Sequence, residues 1–340
     1  RTSGRIYKLV HGTPRSPRHV NVMALEGTAL RGNLLVEDQW WSRAAVREWQ
    51  RRALAGQDLS ADAAWLRDRA AKAADPLHRL RAIWALAAID TPAAGTLDEG
   101  FTVGLLDDAD PFVRSWGVRL LVDQSSPGGA QPSAAALARL LQLARTDLAA
   151  PVQLHLASAI GRLADGPAWD LAEALASHDT FAADPLFPRL VWFGLAPSVP
   201  RNLDRAVALA SAGRLPPLGR NLARYVAGKV EERPELVAKL LGTAAGDDAR
   251  RRDLVGGIAD GLRGWRQAKA PEGYADLSAK LAASGDEPTV SALRELDVLF
   301  GEGRGVEAVR AVVLDGGAAP EARRQAIRTL VASVPEDGAA

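Results

Sequence analysis

The fold is decided by residues 110–121, which read DPFVRSWGVRLL. An aspartate can accept hydrogen bonds from the free N–H groups of a helix start, and a proline at the first helical position leaves no N–H unsatisfied. The stretch therefore predicts a helix over residues 112–123. Counting from the proline, an arginine follows at three residues, a small residue at six, and apolar residues at seven and ten. These are Arg114, Gly117, Val118 and Leu121. Such a pattern predicts close helix packing along an apolar stripe.

The same helix start recurs along the chain. The prolines that open these helices are Pro76, Pro111, Pro151, Pro185, Pro288 and Pro320. Outside the more degenerate residues 200–285, they follow one another at 32 to 40 residues. The inner pattern recurs as Arg79, Ala82, Ile83 and Leu86 and as Arg323, Ala326, Ile327 and Leu330. A period of this length with two helices per unit indicates an α-solenoid. The pattern, which is plainest at residues 110–114, resembles HEAT repeats.

Partner helices with starts of their own are predicted between these helices. Ser133 precedes an apolar helix, and Pro234 opens another. Thr96 with Glu99 three residues later has the spacing of a capping box. The pair at residues 256–257, Gly-Gly, lies inside a helical run and predicts close packing or a kink. The predicted fold class is therefore all-α, an armadillo-type α-α superhelix of HEAT-like units over residues 21–340.

Residues 1–20 have a different composition. Residues 4–10, GRIYKLV, alternate as a short strand does, and residues 11–18, HGTPRSPR, are typical of a turn and linker. A lone strand is not stable in water and needs a sheet to join. We therefore expect residues 1–20 to be the end of an upstream β domain and its linker; the alternative is a disordered tail.

Composition and charge exclude several classes of function. The net charge is +1, from 42 basic and 41 acidic residues, so no strong field attracts nucleic acid. The absence of cysteine excludes thiol catalysis and cysteine-ligated metals within these residues. No uninterrupted apolar run is long enough for membrane insertion. The five histidines do not have the spacing of metal ligands. We therefore predict no catalytic, cofactor-binding or metal-binding residues in this segment.

Five residues are candidates for binding a partner. Trp40 and Trp41 are adjacent, so they cannot face the same way on a helix, and one of them is free to dock against a neighbouring domain. Arg81, Arg119 and Arg328 lie on the second helices of their units, which we expect to line a concave surface. The expected partner is an adjacent domain of the same chain or a separate protein.

The N-terminal junction is similar to one in a family of bacterial membrane-bound dehydrogenases. The resemblance covers about the first 55 residues: the strand GRIYKL at residues 4–9, the proline-rich linker, and WWSRAAVR at residues 40–47. That family joins a sorbosone-dehydrogenase-like β-propeller to HEAT repeats, often followed by a cytochrome c domain. The resemblance implies an exported or periplasmic redox protein whose quinone cofactor and c-type haem lie outside this segment. The Cys-x-x-Cys-His motif of the cytochrome module is absent here.

Three functions remain open at this point, the last of them a pure spacer that binds no partner. The first is a non-catalytic scaffold that docks a domain or partner within a larger electron-transfer protein. The alternative is a helical-repeat enzyme, such as a lyase or a DNA glycosylase. A glycosylase needs a strongly cationic groove, which the near-zero net charge disfavours.

Overall fold

The computed structural model describes residues 9, 11–13, 21–90, 95–123, 125–301 and 303–333. Within these residues the chain forms 18 α-helices, three short 3-10 helices and no β-strand. The all-α prediction is thus confirmed. Apart from residue 9, the predicted N-terminal strand lies outside the described residues. The chain divides into two compact units, Arg1–Asp98 and Glu99–Ala340.

The first unit has four α-helices after the 3-10 helix Val22–Ala24. They are α1 (Gly27–Leu35), α2 (Gln39–Leu54), α3 (Ser60–Lys72) and α4 (Pro76–Ile89). Helix α4 packs against each of the other three helices, and α1 also packs against α2. Its Ile83 and Leu86 are fully buried, as the sequence predicts, together with Trp49 of α2 and Leu66 of α3. Helix α4 is therefore the centre of this unit.

The second unit contains fourteen α-helices among the described residues, with 3-10 turns at Ile160–Arg162 and Val199–Arg201. The helices are α5 (Glu99–Leu105), α6 (Pro111–Asp123), α7 (Ala134–Thr146), α8 (Ala150–Ala159), α9 (Asp165–Leu175), α10 (Phe187–Leu195), α11 (Leu203–Ala212), α12 (Pro216–Ala227), α13 (Pro234–Gly246), α14 (Asp248–Leu262), α15 (Tyr274–Ala282), α16 (Glu287–Leu299), α17 (Gly303–Leu314) and α18 (Pro320–Ser333).

Thirteen of these fourteen helices stack in two layers, and α17 packs against α16 and α18. In one layer, each of α6, α8, α10, α12, α14, α16 and α18 packs against the next helix of that series. In the other layer, α5, α7 and α9 pack in succession, as do α11, α13 and α15. Successive helix pairs therefore bury the apolar faces that a single pair leaves open, as helical repeats do.

Predicted helix starts are found at the expected places. The Asp75 carboxylate accepts a hydrogen bond from Leu77 N at 2.9 Å, and the Asp110 carboxylate accepts one from Phe112 N at 2.9 Å. A cap of this kind stabilises a helix by about 1 kcal/mol. The Ser133 hydroxyl caps α7 through Ala136 N. The capping box predicted at Thr96 is not formed.

The Thr96 region has a different capping arrangement. The Asp90 carboxylate accepts bonds from the backbone N and the hydroxyl of Thr96, at 2.7 and 2.9 Å. The Glu99 carboxylate accepts instead from Ser133 N at 2.9 Å. The carboxylate of Asp90 therefore takes the place that the capping box assigns to Glu99 at Thr96. Glu99 instead joins the start of α5 to the start of α7.

In three successive helix pairs, a side chain from the second helix closes the pair at one end. Arg79 donates to the carbonyl oxygen of Ala73 at 2.7 Å, and Arg114 donates to that of Asp108 at 2.8 Å. Gln153 replaces the arginine in the next repeat and donates to the carbonyl oxygen of Asp147 at 2.6 Å. The last carbonyls of a helix have no partner within it. The side chain from the second helix therefore provides what the end of the first helix lacks.

Backbone contact between helices occurs where the sequence has glycine. Helices α12 and α14 lie so close that a Cβ atom on Gly257 would overlap the carbonyl oxygen of Arg220. The same holds for Gly261 and the carbonyl oxygen of Arg224. The close packing predicted for Gly256-Gly257 is confirmed.

The last repeat departs from the predicted apolar stripe. Ile327 is 46% exposed, whereas its counterparts Ile83 and Val118 are fully buried. Ala326, at the preceding small position, is buried as predicted. The main contacts of α18 are with α16 and α17, and this packing leaves nearly half of Ile327 exposed.

Candidate docking surface

One face of α2 carries a row of exposed side chains. Trp40 is 60% exposed and Leu54 is 80% exposed, and three exposed arginines lie between them. These arginines are Arg43, Arg47 and Arg51. At 3.6 residues per turn, the five side chains fall within about 80° of one another around the helix axis. We call this set the α2 stripe.

A hollow of about 550 Å³ lies beside the α2 stripe. Residues 21–23 form its second wall, and Met23 is 60% exposed there. Arg52 of α2 holds this wall in place, because its guanidinium donates hydrogen bonds to the carbonyl oxygens of Met23 and Leu25. The hollow therefore combines a tryptophan and a methionine with guanidinium groups on a fixed backbone.

The α2 stripe has an excess of positive charge. The buried carboxylate of Glu48 pairs with both Arg51 and Arg52 at 2.7 Å. The hydrogen bond from Arg51, together with the bond from Arg52, lowers the pKa of Glu48 to about 2. Among the described residues, Arg43 bonds only to the uncharged Gln39, at 3.0 Å. One carboxylate is thus shared by two arginines, and no hydrogen bond or ion pair engages Arg47 within the part of the chain that the structure describes.

The two adjacent tryptophans differ in exposure. Trp41 is half-buried, and its ring meets that of Trp40 at 4.7 Å in an edge-to-face contact of 88°. Such contacts fix ring orientation and contribute about 0.5–1.5 kcal/mol. Trp41 therefore supports Trp40, which is the exposed member of the pair.

Arg81 does not belong to an exposed surface. Only 4% of the residue is exposed, and its guanidinium donates to the carbonyl oxygens of Leu34 at 3.0 Å and Val36 at 2.7 Å. These carbonyls are at the end of α1, where the helix has no partners for them. The prediction of Arg81 as a docking residue is therefore corrected: its role is to join α1 to α4.

Arg119 and Arg328 are exposed but are not brought together. Arg119 of α6 lies 4.7 Å from the ring centre of Trp116 and 3.9 Å from the Asp123 carboxylate. Arg328 of α18 pairs with Glu321 at 3.3 Å. The two arginines are far apart in the order of helices. Within the described part of the second unit, the structure therefore gives no joint site for these two arginines.

Many charged side chains in the second unit connect neighbouring repeats. Arg114 pairs with Asp147 at 2.7 Å, and Arg205 pairs with Glu173 at 2.7 Å.

Burial of Asp253 raises the pKa of its carboxyl above the ordinary value. Within the described ranges, no three His, Asp or Glu side chains group as metal ligands would. None of the helices described combines the length and apolar composition needed to cross a bilayer.

Sequence reasoning identified Trp40 but missed the rest of the α2 stripe. The signal was present, because Arg43, Arg47 and Leu54 follow Trp40 at helical spacing. The hollow beside them was not visible in the sequence, since its second wall comes from residues 21–23.

No protein-family model matches the chain. No curated protein matches it either.

Proposed function

We propose that this chain is a non-catalytic scaffold of HEAT-like repeats, an armadillo-type superhelix, that docks a protein partner. The observation that carries the proposal is the α2 stripe, an ordered row of exposed apolar and cationic side chains beside a hollow. The two-layered stack of the second unit supports the superhelix, because helix pairs that pack in series with a recurring closing contact are typical of such repeats.

The stripe favours a partner segment with carboxylates around one large apolar side chain. Trp40 supplies the affinity: a tryptophan buries 150–250 Å², and covering its exposed part contributes about 3 kcal/mol at 25 cal/mol per Å². An exposed ion pair contributes only about 0–1 kcal/mol. The arginines therefore contribute less to the affinity than Trp40 does, and they determine which partner binds and how fast it associates.

The geometry also limits the form of the partner. The stripe begins at Trp40 and ends at Leu54 of α2, so it is about 21 Å long at 1.5 Å per residue. This length suits one extended or helical peptide segment lying along α2. Such a segment could belong to another domain of the same polypeptide or to a separate protein, because both would fit along α2 equally well.

A peptide selection tests the proposal without the natural partner. A displayed library of random 12-residue peptides is selected on the folded chain, and the enriched peptides are titrated against variants. We expect enriched Asp or Glu on both sides of a Leu, Phe or Trp. Trp40→Ala should weaken the peptides by about 30-fold or more, and Arg47→Glu by about 10-fold. Arg145→Glu, an equal charge change on exposed α7, is the matched control and should leave binding unchanged.

Two results would overturn the docking proposal. The first is enrichment of peptides without acidic residues. The second is equal binding of the selected peptides to the Trp40→Ala variant and to the unchanged chain. Circular dichroism confirms in each case that the variant is folded.

The resemblance of the first 55 residues supports a redox setting for this scaffold. In that setting, the partner is a propeller or cytochrome c domain that carries the quinone cofactor or the c-type haem. The complete gene tests this point. An open reading frame with neither a propeller pattern nor a Cys-x-x-Cys-His motif would contradict the redox setting and leave the docking proposal standing.

A further inference from the structure

The α2 wall of the hollow beside the α2 stripe has the spacing of a helix-binding seam. Six residues of α2 line the hollow: Trp40, Arg43, Ala44, Arg47, Glu48 and Arg51. They follow one another at intervals of three, one, three, one and three residues. When two helices pack side by side, a side chain of one enters a hole between four residues of the other, at positions i, i+3, i+4 and i+7. The six residues therefore form two such holes in succession.

The two holes share Ala44, which has the smallest of the six side chains. The first hole consists of residues 40, 43, 44 and 47, and the second consists of residues 44, 47, 48 and 51. Larger side chains surround the methyl group of Ala44, so a recess lies above it. The exposed ring of Trp40 borders the first hole, and the exposed Met23 lines the hollow from its second wall. The recess therefore suits an apolar side chain of about the size of leucine.

The side chains around the two holes have an excess of positive charge. Arg43 and Arg47 form no ion pair with any residue that the structure describes, and Arg51 shares the carboxylate of Glu48 with Arg52. Glu48 is the one carboxylate among the residues that line the hollow, and it is 4% exposed. Four arginines are thus balanced by this carboxylate and by about half a negative charge from the C-terminal end of α2. Acidic side chains on a partner therefore complement this wall.

A helical partner fits the two walls better than an extended partner does. The backbone groups of α2 bond within the helix, so α2 has no edge that an extended peptide could join as a strand. In the second wall, the carbonyl oxygens of residues 21–23 already accept hydrogen bonds from Ala24, Leu25 and Arg52. A helix satisfies its own backbone groups and presents side chains three and four residues apart. The two holes have this spacing, because their centres are four residues apart on α2.

We propose that the partner segment is an acidic amphipathic α-helix that packs side by side with α2. Two apolar residues four positions apart enter the two holes, and carboxylates three or four residues from them meet Arg43, Arg47 and Arg51. This inference rests on the proposed docking function of the α2 stripe. It narrows the partner to one secondary structure and one pattern of charge.

Two synthetic peptides of identical composition test the inference, each with two leucines and three glutamates among alanine and glutamine. In the helix-register peptide, the leucines are four residues apart and every glutamate is three or four residues from a leucine. In the strand-register peptide, leucines and glutamates occupy every second position, so they share one face only when the peptide is extended. Titration calorimetry on the full chain should show that the helix-register peptide binds at least about 10-fold more tightly, as expected when one more leucine is buried. Circular dichroism should show a gain of helix on mixing.

A matched pair of variants tests the recess itself. Ala44→Leu fills the position that both holes share and should weaken the helix-register peptide by about 10-fold or more. Ala64→Leu makes the same change at an exposed position of α3 and should leave binding unchanged. The comparison of the two peptides on the unchanged chain needs no variant, so it decides the question if Ala44→Leu proves unfolded by circular dichroism.

Three results would overturn the helical partner. They are no binding of the helix-register peptide, binding of the strand-register peptide that is equally tight or tighter, and unchanged binding of the helix-register peptide to folded Ala44→Leu. The docking function has a separate reading, because it requires Trp40→Ala to weaken whichever acidic peptides bind. A strand-register peptide that binds more tightly and is weakened by Trp40→Ala would refute the helix and keep the docking site.

Discussion

Replacing Gly257 by alanine should destabilise the second unit, although alanine is the better helix former. The new Cβ would overlap the carbonyl oxygen of Arg220 and lie 3.0 Å from the Cβ of Ala223. Backbone atoms cannot rotate out of the way as a side chain can, so α12 and α14 must move apart by roughly 1 Å. Overpacking of this kind costs about 1–3 kcal/mol.

Two opposing effects determine the net result for Gly257→Ala. Alanine gains about 1 kcal/mol over glycine in helix propensity. Separation of α12 from α14 also loosens the contacts of buried neighbours such as Ile258, which pushes the overpacking cost to the upper part of its range. We therefore expect a net loss of about 1–2 kcal/mol.

Gly242→Ala in α13 is the matched control. Gly242 is exposed, and a Cβ there meets nothing within 4 Å, so this variant keeps the propensity gain and should be more stable than the unchanged chain. The assay is urea unfolding followed by far-ultraviolet circular dichroism, with the midpoints of the three chains compared. Equal stabilisation by both substitutions would show that α12 and α14 are not in backbone contact.

Three further outcomes are expected. Arg81→Met should lower the thermal midpoint by more than Arg119→Met does, because it leaves buried carbonyls without donors at a cost of about 1–3 kcal/mol. Because the folded-state pKa of Glu48 is lowered to about 2, its stabilisation is present above its ordinary pKa of 4.5 and is lost as pH falls towards 2; Glu48→Gln should flatten that part of the profile of unfolding midpoint against pH. Burial raises the pKa of Asp253, so its ionisation opposes folding; Asp253→Asn should raise the midpoint at pH 7, and a lower midpoint there would show that the carboxylate is favourably paired.

Much of the fold was predictable because helix starts are local. An aspartate followed by proline determines its own hydrogen bonding within three residues, and Asp75 and Asp110 cap their helices as predicted. The closing arginine was also visible as a spacing. Its target carbonyls were not, because they depend on how two helices meet.

The errors all concern tertiary context. Thr96 bonds to Asp90 rather than Glu99, since a competing carboxylate six residues earlier lies within reach. Arg81 has the sequence surroundings of a surface arginine, yet the end of α1 surrounds it. Ile327 fits the apolar pattern but lacks a neighbour on its outer side. Periodicity predicts which face of a helix is apolar, but it does not predict which neighbouring element covers that face.

The closing contact described for Arg79, Arg114 and Gln153 has an evolutionary consequence. In these three pairs the donor and the backbone acceptor belong to the same helix pair, and Arg114 also bonds to the next pair, through Asp147. If one such pair were duplicated, the main requirement would be that the apolar faces of neighbouring pairs pack together. Such faces tolerate exchange of similar side chains. A chain built in this way can gain or lose length in steps of one helix pair, and the remaining pairs keep the backbone contacts that close them.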